Sequence, residues 1–182
     1  MRIVTSLIYH HTGISGENQA KGIINYHKEK WLTMVPRGMA YHKLIETNGR
    51  IVKGRPEWSI GYHAGNWDVN AVSVAIALSG DFTKEDPTDK QLKALARETI
   101  DICTRNRIRW EDVLHHWDVR KKPTACPGKD LKYLLTSTGK LDKALENKIF
   151  VMKKVLSRTS RLRMLRYFTL KRKISFLETQ FK

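Results

Sequence analysis

The chain opens with apolar residues that run through Leu7-Ile8-Tyr9 and end on His10-His11-Thr12-Gly13, a β-prone stretch within Arg2–His10 that closes on two imidazoles. From Asn18 to Trp31, Ile23, Ile24 and His27 fall on or near one face of a helix. Met39–Ile45 reads as a strand, Asn48-Gly49 as a two-residue hairpin turn, and Arg50–Lys53 as the returning strand. Gly61–Asn70 is polar and contains glycine, which predicts a loop. Ala71–Leu78 alternates Val72, Val74, Ile76 and Leu78 and is the clearest strand pattern. Thr88–Asn106 is the best helix, with Pro87-Thr88-Asp89 as its starting signal. Val113–His115 reads as a short strand, and a helix starts in Asp130–Leu135. Strands and helices interleave, which predicts an α/β class with a mixed central β-sheet flanked by helices.

Beyond this body, Leu145, Ile149, Met152 and Leu156 keep helical spacing. Leu162, Leu165, Phe168, Ile174 and Leu177 continue less regularly between basic residues. The pattern divides the chain into a body, 1–145, and a basic amphipathic helical tail, 146–182. At 182 residues the chain is long enough for one domain with a proper core. No stretch approaches the ~20 apolar residues of a transmembrane helix. The start lacks a long apolar run and a cleavage-site pattern, so cytoplasmic synthesis without a signal peptide is expected.

Charge changes the picture. The formal net charge is +16, and from Leu145 onward eleven Lys or Arg face only Glu146 and Glu178. That segment therefore carries +9 and the body +7. Such a balance implies a polyanionic partner: nucleic acid, anionic lipid or wall polymer. Nucleic acid is disfavoured, because the tail offers few aromatics (Phe150, Tyr167, Phe168, Phe176, Phe181) to interleave with its cations. A basic amphipathic helix is a membrane-surface signature, and anionic wall polymer suits the charge equally.

The two cysteines sit in unlike contexts. Cys103 follows the apolar stripe of Leu92–Cys103 and reads as a small core residue. Cys126 lies in the loop-like Pro123-Thr124-Ala125-Cys126-Pro127-Gly128, with nine residues between it and His116 of His115-His116-Trp117-Asp118. Zinc takes about four N, S or O donors in tetrahedral array, and a catalytic site leaves one place for water. His116 and Cys126 supply two donors. A third has to come from elsewhere, and His10 or His11 at the end of the first strand is the source. His63, Asn66 and Trp67 form a polar and aromatic loop cluster suited to sugar or peptide contact. Trp31 and Trp58 read as packing residues.

Six blocks carry a resemblance: Ile8-Tyr9-His10-His11-Thr12, Met39-Ala40-Tyr41-His42, Gly61-Tyr62-His63-Ala64-Gly65-Asn66, Val72–Gly80, His116-Trp117-Asp118-Val119 and Ala125-Cys126-Pro127-Gly128. In this order the chain resembles the type 2 N-acetylmuramoyl-L-alanine amidases, the group shared by amidase-type phage lysozymes, bacterial amidases and peptidoglycan recognition proteins. The resemblance spans about Leu7 to Leu135. It implies zinc (Zn2+) held by His10, His116 and Cys126, with Tyr41 as a catalytic residue. It further implies hydrolysis of the amide joining the muramic lactyl group to L-alanine of peptidoglycan. Two departures stand out. Trp117 replaces the arginine of the more common Gly-His-Arg-Asp block, and Thr124 stands where some phage enzymes carry an assisting lysine. Thr124 offers a hydrogen bond and no positive charge. Asp118 is expected to orient a neighbour rather than bind metal.

The charge and the absence of a leader pattern point within this group to a phage endolysin, made in the cytoplasm and acting on the cell wall after release. The alternatives are a cytosolic wall-recycling amidase and a non-catalytic peptidoglycan-binding protein on the same fold. The complete set His10, His116, Cys126 and Tyr41 weighs against the last.

Overall fold

The computed structural model describes residues 2–30, 38–157 and 164–181, with the side chains of 164–167 not included. Trp31, Leu162 and the side chains of Leu165 and Tyr167 thus lie outside the described residues. Five strands form one mixed sheet: β1 (Ser6–His11), β2 (Lys43–Ile45), β3 (Ile51–Lys53), β4 (Ser73–Leu78) and β5 (Val113–His115), in the spatial order β3-β2-β4-β1-β5. β4 runs parallel to β1 and β2, β1 runs parallel to β5, and β2 and β3 are antiparallel. The helices are α1 (Ala20–Lys30), α2 (Trp67–Val72), α3 (Asp89–Asn106), α4 (His116–Val119), α5 (Leu131–Ser137), α6 (Lys140–Ser157) and α7 (Met164–Gln180). None of the described helices is long and apolar enough to cross a membrane.

The sheet is covered on both faces, and strand alternation decides which side chain serves which face. Leu7 and Tyr9 of β1 join Val74, Ile76 and Leu78 of β4 in a large core against α3, α5, α6 and α7. The intervening positions turn to the other face, where Leu44 and Ala77 meet Ala20 and Ile23 of α1 and Met39. His10 follows Tyr9 and belongs to this second face. α3 starts as its sequence dictates: the Thr88 side chain accepts from Gln91 N, and the Gln91 side chain answers to the Thr88 backbone. α1 lacks such a cap of its own. Its first amides are met by buried Glu46, which accepts from Gln19 N at 3.1 Å and Ala20 N at 2.9 Å.

Several expectations shift, and of the stretch Met39–Ile45 only Lys43–Ile45 forms a strand. Gly49 N donates to Glu46 O at 2.8 Å, so Thr47 and Asn48 are the central turn residues and Gly49, at φ +81°, takes the left-handed position after them. The hairpin loop therefore holds three residues rather than two. Trp67–Val72 is helical, because the Asn66 side chain accepts from Asp68 N and caps α2. Ala71 and Val72 consequently leave the strand, which starts at Ser73. All six residues of β4 are buried, since its alanines pack under α1 while its larger residues face the main core.

α6 runs unbroken through residues 145 and 146, where composition placed the end of the body. Leu141, Leu145 and Met152 of α6 and Ile174, Leu177 and Phe181 near the C-terminus are all buried in the main core. Phe181 lies with its ring centre 5.6 Å from that of Trp110. Composition registers the rise in charge, whereas the apolar stripe under that charge continues the core. Leu177→Ala is expected to destabilise the chain by about 2–5 kcal/mol in denaturant unfolding, as for other fully buried leucines. An unchanged unfolding midpoint would mean that α7 packs only loosely on the body.

Candidate metal centre and active-site cleft

Three sequence-distant segments meet at the end of the sheet nearest His10. β1 delivers His10, the turn from β5 into α4 delivers His116, and the loop after α4 delivers Cys126. Their ligand atoms all lie within 4.8 Å of one another, and among the described residues no other His, Cys, Asp or Glu set does so. The rings of His10 and His116 are 4.5 Å apart, and Cys126 Sγ is 3.7 Å from His10 Nδ1. Cys126 is held by backbone. His11 N donates to its sulfur at 3.3 Å, and its carbonyl accepts from Trp117 N at 3.0 Å. Gly128 completes the turn at φ +83°, where an added Cβ would stand 2.5 Å from the backbone of Phe82.

Alternation and capping separate the clustered pair, His10 and His116, from its neighbours. His11 points to the opposite face of β1, and its Nδ1 accepts from Phe82 N at 3.1 Å. His115 Nε2 accepts from Leu131 N at 3.1 Å and so supports the start of α5. Asp118 Oδ2 accepts from His115 N at 2.7 Å, which fixes the turn that aims His116. His42 is structural: its Nδ1 accepts from Ala75 N at 3.0 Å, leaving Nε2 to donate to Ser59 O at 3.0 Å.

Electrostatics keep the cluster uncharged. Burial first, then crowding by His63 and His116, holds His10 well below the usual imidazole range. Burial and the Arg120 charge hold His116 down at about 4. Burial pushes the Cys126 thiol up to about 12, against the pull of the His11 amide and Arg120. Neutral imidazoles are the form that ligates a metal, and a metal would draw the proton off the thiol. The Ala64 backbone approaches His116, yet neither buried ring nitrogen of His116 makes a hydrogen bond of acceptable geometry. Such orphaned atoms are uncommon, and a cation is one of the few groups that satisfies both nitrogen and thiol.

His63, which the sequence places among substrate contacts, is instead buried behind His10. Its backbone and that of Ala64 are pinned by Asn70 Oδ1 at 3.1 and 2.9 Å. A chain of hydrogen bonds then sets its tautomer. Ser73 Oγ donates to Val69 O at 2.6 Å, so it accepts from His63 Nε2 at 3.3 Å. His63 Nδ1 is left as an acceptor and takes the Nε2 proton of His10 at 3.1 Å. His10 Nδ1, facing Cys126, therefore carries the free lone pair. Nothing in the sequence signals this relay, because α2 alone brings residue 73 beside residue 63. His63→Ala is expected to weaken zinc affinity roughly 10- to 100-fold in a chelator-competition titration, the usual cost of losing a partner behind a ligand. Unchanged affinity would show that the relay has no bearing on His10.

The other candidates border the same region. Tyr41 is half-buried, its ring 5.2 Å from His10 and 5.4 Å from His27, and among the described residues its hydroxyl has no partner. Burial and then neighbouring Cys126 push its pKa up, so it stays a proton donor. Thr124 Oγ1 accepts from Cys126 N at 3.3 Å, which leaves its proton available. Asn66 Oδ1 caps α2, while Trp67 is 55% exposed, with its ring 6.0 Å from that of Tyr62. Sequence reading missed Arg120, one helical turn after His116. It is exposed, and a Cβ on Gly65 would lie 3.4 Å from its Nε.

Comparison with known proteins agrees with this arrangement. The family of N-acetylmuramoyl-L-alanine amidases matches residues 1–129. The endolysin of Enterobacteria phage T3 is 30% identical over 138 residues, 72% of this chain and 85% of that protein. The solved N-acetylmuramoyl-L-alanine amidase LysC from Clostridium intestinale URNW superposes with a TM-score of 0.62 at 32% identity, covering 73% of this chain and 85% of its own. Drosophila PGRP-LB does so with a TM-score of 0.62 at 25% identity, covering 75% and 82%. Sheet, cleft and matched span coincide in residues 1–129, and this chain belongs to the N-acetylmuramoyl-L-alanine amidase family.

Proposed function

We propose that the chain is a zinc-dependent endolysin that hydrolyses the lactyl–L-alanine amide of peptidoglycan. The observation that carries zinc is the buried His116 ring with both nitrogens unpartnered, facing His10 and the Cys126 thiol. Two imidazoles and one sulfur form a donor set that suits zinc and leaves a fourth place open. Zinc in such a site acidifies water and polarises an amide carbonyl.

The chain's own residues divide the rest of the reaction. His63 and Ser73 hold His10 in the ligating tautomer. The Tyr41 hydroxyl donates to the oxygen of the scissile carbonyl as charge builds there, with Thr124 Oγ1 as a second donor. Water adds to the carbonyl carbon and gives up one proton, the C–N bond breaks, and the alanine nitrogen gains one proton and leaves as an amine, so protons balance overall. Tyr41 relays that proton, taking one from water's side as it gives its own to nitrogen, while His11 faces the opposite side of β1. Trp67, exposed at the rim, and Asn66 beside it contact the sugar–peptide substrate. The basic C-terminal segment meets an anionic wall polymer or membrane surface, and nucleic acid is not its partner.

The endolysin reading draws on the phage relatives and implies action on the wall after release from the cytoplasm. Purified protein is expected to release new amino termini from suspended walls without new reducing sugar ends. A chelator should abolish this release, and zinc should restore it. New reducing ends would place the cut in the sugar strand, and full activity after stringent metal removal would exclude zinc.

A further inference from the structure

The fold gathers part of the C-terminal charge at one place. Between the last turn of α3 and α7 lies a cleft of about 410 Å³ lined by Arg107, Arg172, Lys173 and Ser175, with no Asp or Glu among its lining residues. Arg107 is 65 positions from Arg172 in sequence, so the tertiary fold alone unites these cations. The burial of Ile174, Leu177 and Phe181 holds α7 in place beside them. The one acidic residue of α7, Glu178, is turned to the other side and paired with Lys153 at 2.8 Å. Among the described residues, Arg107, Arg172 and Lys173 take part in no ion pair.

Two local costs are incurred here. Three like charges face one space, and Arg107 occupies a left-handed position, φ +58°, at the end of α3 where glycine or asparagine is the usual choice. No described contact offsets either cost. Two carbonyls near this helix end are already occupied. Cys103 O accepts from the amides of Arg107 and Ile108, and Ile102 O accepts from Asn106 Nδ2 at 3.0 Å. The hydroxyls of Thr104 and Thr179 donate to their own helices, the latter to the Ser175 carbonyl, whereas the Ser175 hydroxyl has no hydrogen-bond partner among the described residues and is a free donor.

We propose that this cleft binds the phosphate of an anionic phospholipid headgroup. Planar guanidinium forks match phosphate oxygens in pairs, Lys173 adds a point charge, and Ser175 adds a neutral donor. Phe168 lies four residues before Arg172, on the same side of α7, and is 53% exposed. An exposed aromatic beside clustered cations is the composition of a membrane-surface helix, and it favours a lipid over a free phosphate ion. The inference rests on the reading that the C-terminal segment meets an anionic surface, and it names the site and the chemical group.

The test uses the full chain with bound metal and co-sedimentation with phosphatidylglycerol-containing vesicles at low salt. R172Q/K173Q removes two cleft charges at exposed or half-exposed helix positions, and R107N removes the third on a different element. Each lost charge is expected to weaken vesicle binding about fivefold, hence about 25-fold for the double variant. K21Q/K90Q, the same charge change at exposed sites elsewhere, is expected to stay within about twofold of the parent once spread over more than a screening length. Equal losses in the two double variants would overturn the site and leave only diffuse charge. Inorganic phosphate that competes at micromolar concentration would overturn the lipid source in favour of a free ion. Cleft-dependent binding of single-stranded polynucleotide without vesicle binding would overturn it in favour of nucleic acid. Hydrolysis of a soluble muropeptide is expected to be unchanged in R172Q/K173Q. Its loss, with binding intact, would move the cleft into the catalytic fold, whereas failure of the amidase reading shows in the parent protein alone.

Discussion

Cys126→Ser is expected to lose stoichiometric zinc and at least about 10³-fold in amide hydrolysis while keeping its fold, because a hydroxyl at this place neither ionises nor bonds zinc as a thiolate does. The thiol is the least committed of the three donors before metal arrives: burial holds it up at about 12, so near neutral pH it is protonated. Zinc uptake should therefore release about one proton per ion, and affinity should rise with pH as that proton is lost more easily. Calorimetry in two buffers of different ionisation enthalpy reads the proton directly, and elemental analysis reads the metal. A Cys126→Ser protein that retains one equivalent of zinc and wild-type turnover would remove the centre from the mechanism. Cys103→Ser is the matched control. Cys103 is fully buried in the main core, so that change is expected to cost stability and leave zinc content alone.

Tyr41→Phe should cost roughly 10²–10³ in turnover, about 2.7–4 kcal/mol, the range seen when one donor to a developing oxyanion is removed. Zinc content should not change, since Tyr41 packs beside His10 without sharing a hydrogen bond with it. Stability should change little, because among the described residues the hydroxyl has no partner to lose. The loss should fall on turnover rather than on substrate affinity, as expected of a contact that strengthens in the transition state. The hydroxyl stays protonated because burial, then Cys126, pushes its pKa up, so the parent's rate should show no alkaline limb from Tyr41 across the neutral range. A Tyr41→Phe enzyme within a few-fold of the parent would leave oxyanion stabilisation to other groups, Thr124 first among them. A variant at Thr124 is then the informative second step.

Much of the frame was legible in the chain. Strand and helix periods located β1, α1, α3 and β5 to within a residue or a few, and the Thr88 cap was written in Pro87-Thr88-Asp89. The three candidate ligands were legible as residue types in particular kinds of segment, one at a strand end and one in a Pro-rich loop. The choice of His10 over His11 came from resemblance. In the structure it follows from the alternation of β1: Tyr9 faces the main core, so His10 faces the cleft and His11 turns to Phe82.

What sequence alone determined about this protein is local and periodic: where the backbone extends or coils, where it turns, and which residue types end those elements. The tertiary structure decided what depends on contacts between distant segments. It buried His63 behind His10 through Ser73, made the charged C-terminal helices part of the main core, and brought Arg107 to Arg172. The physical reason is that a period records which face of an element is apolar, while the identity of what covers that face depends on how the elements stack. Composition saw the charge of residues 146–182, and only packing showed that Met152, Ile174, Leu177 and Phe181 beneath it close the core.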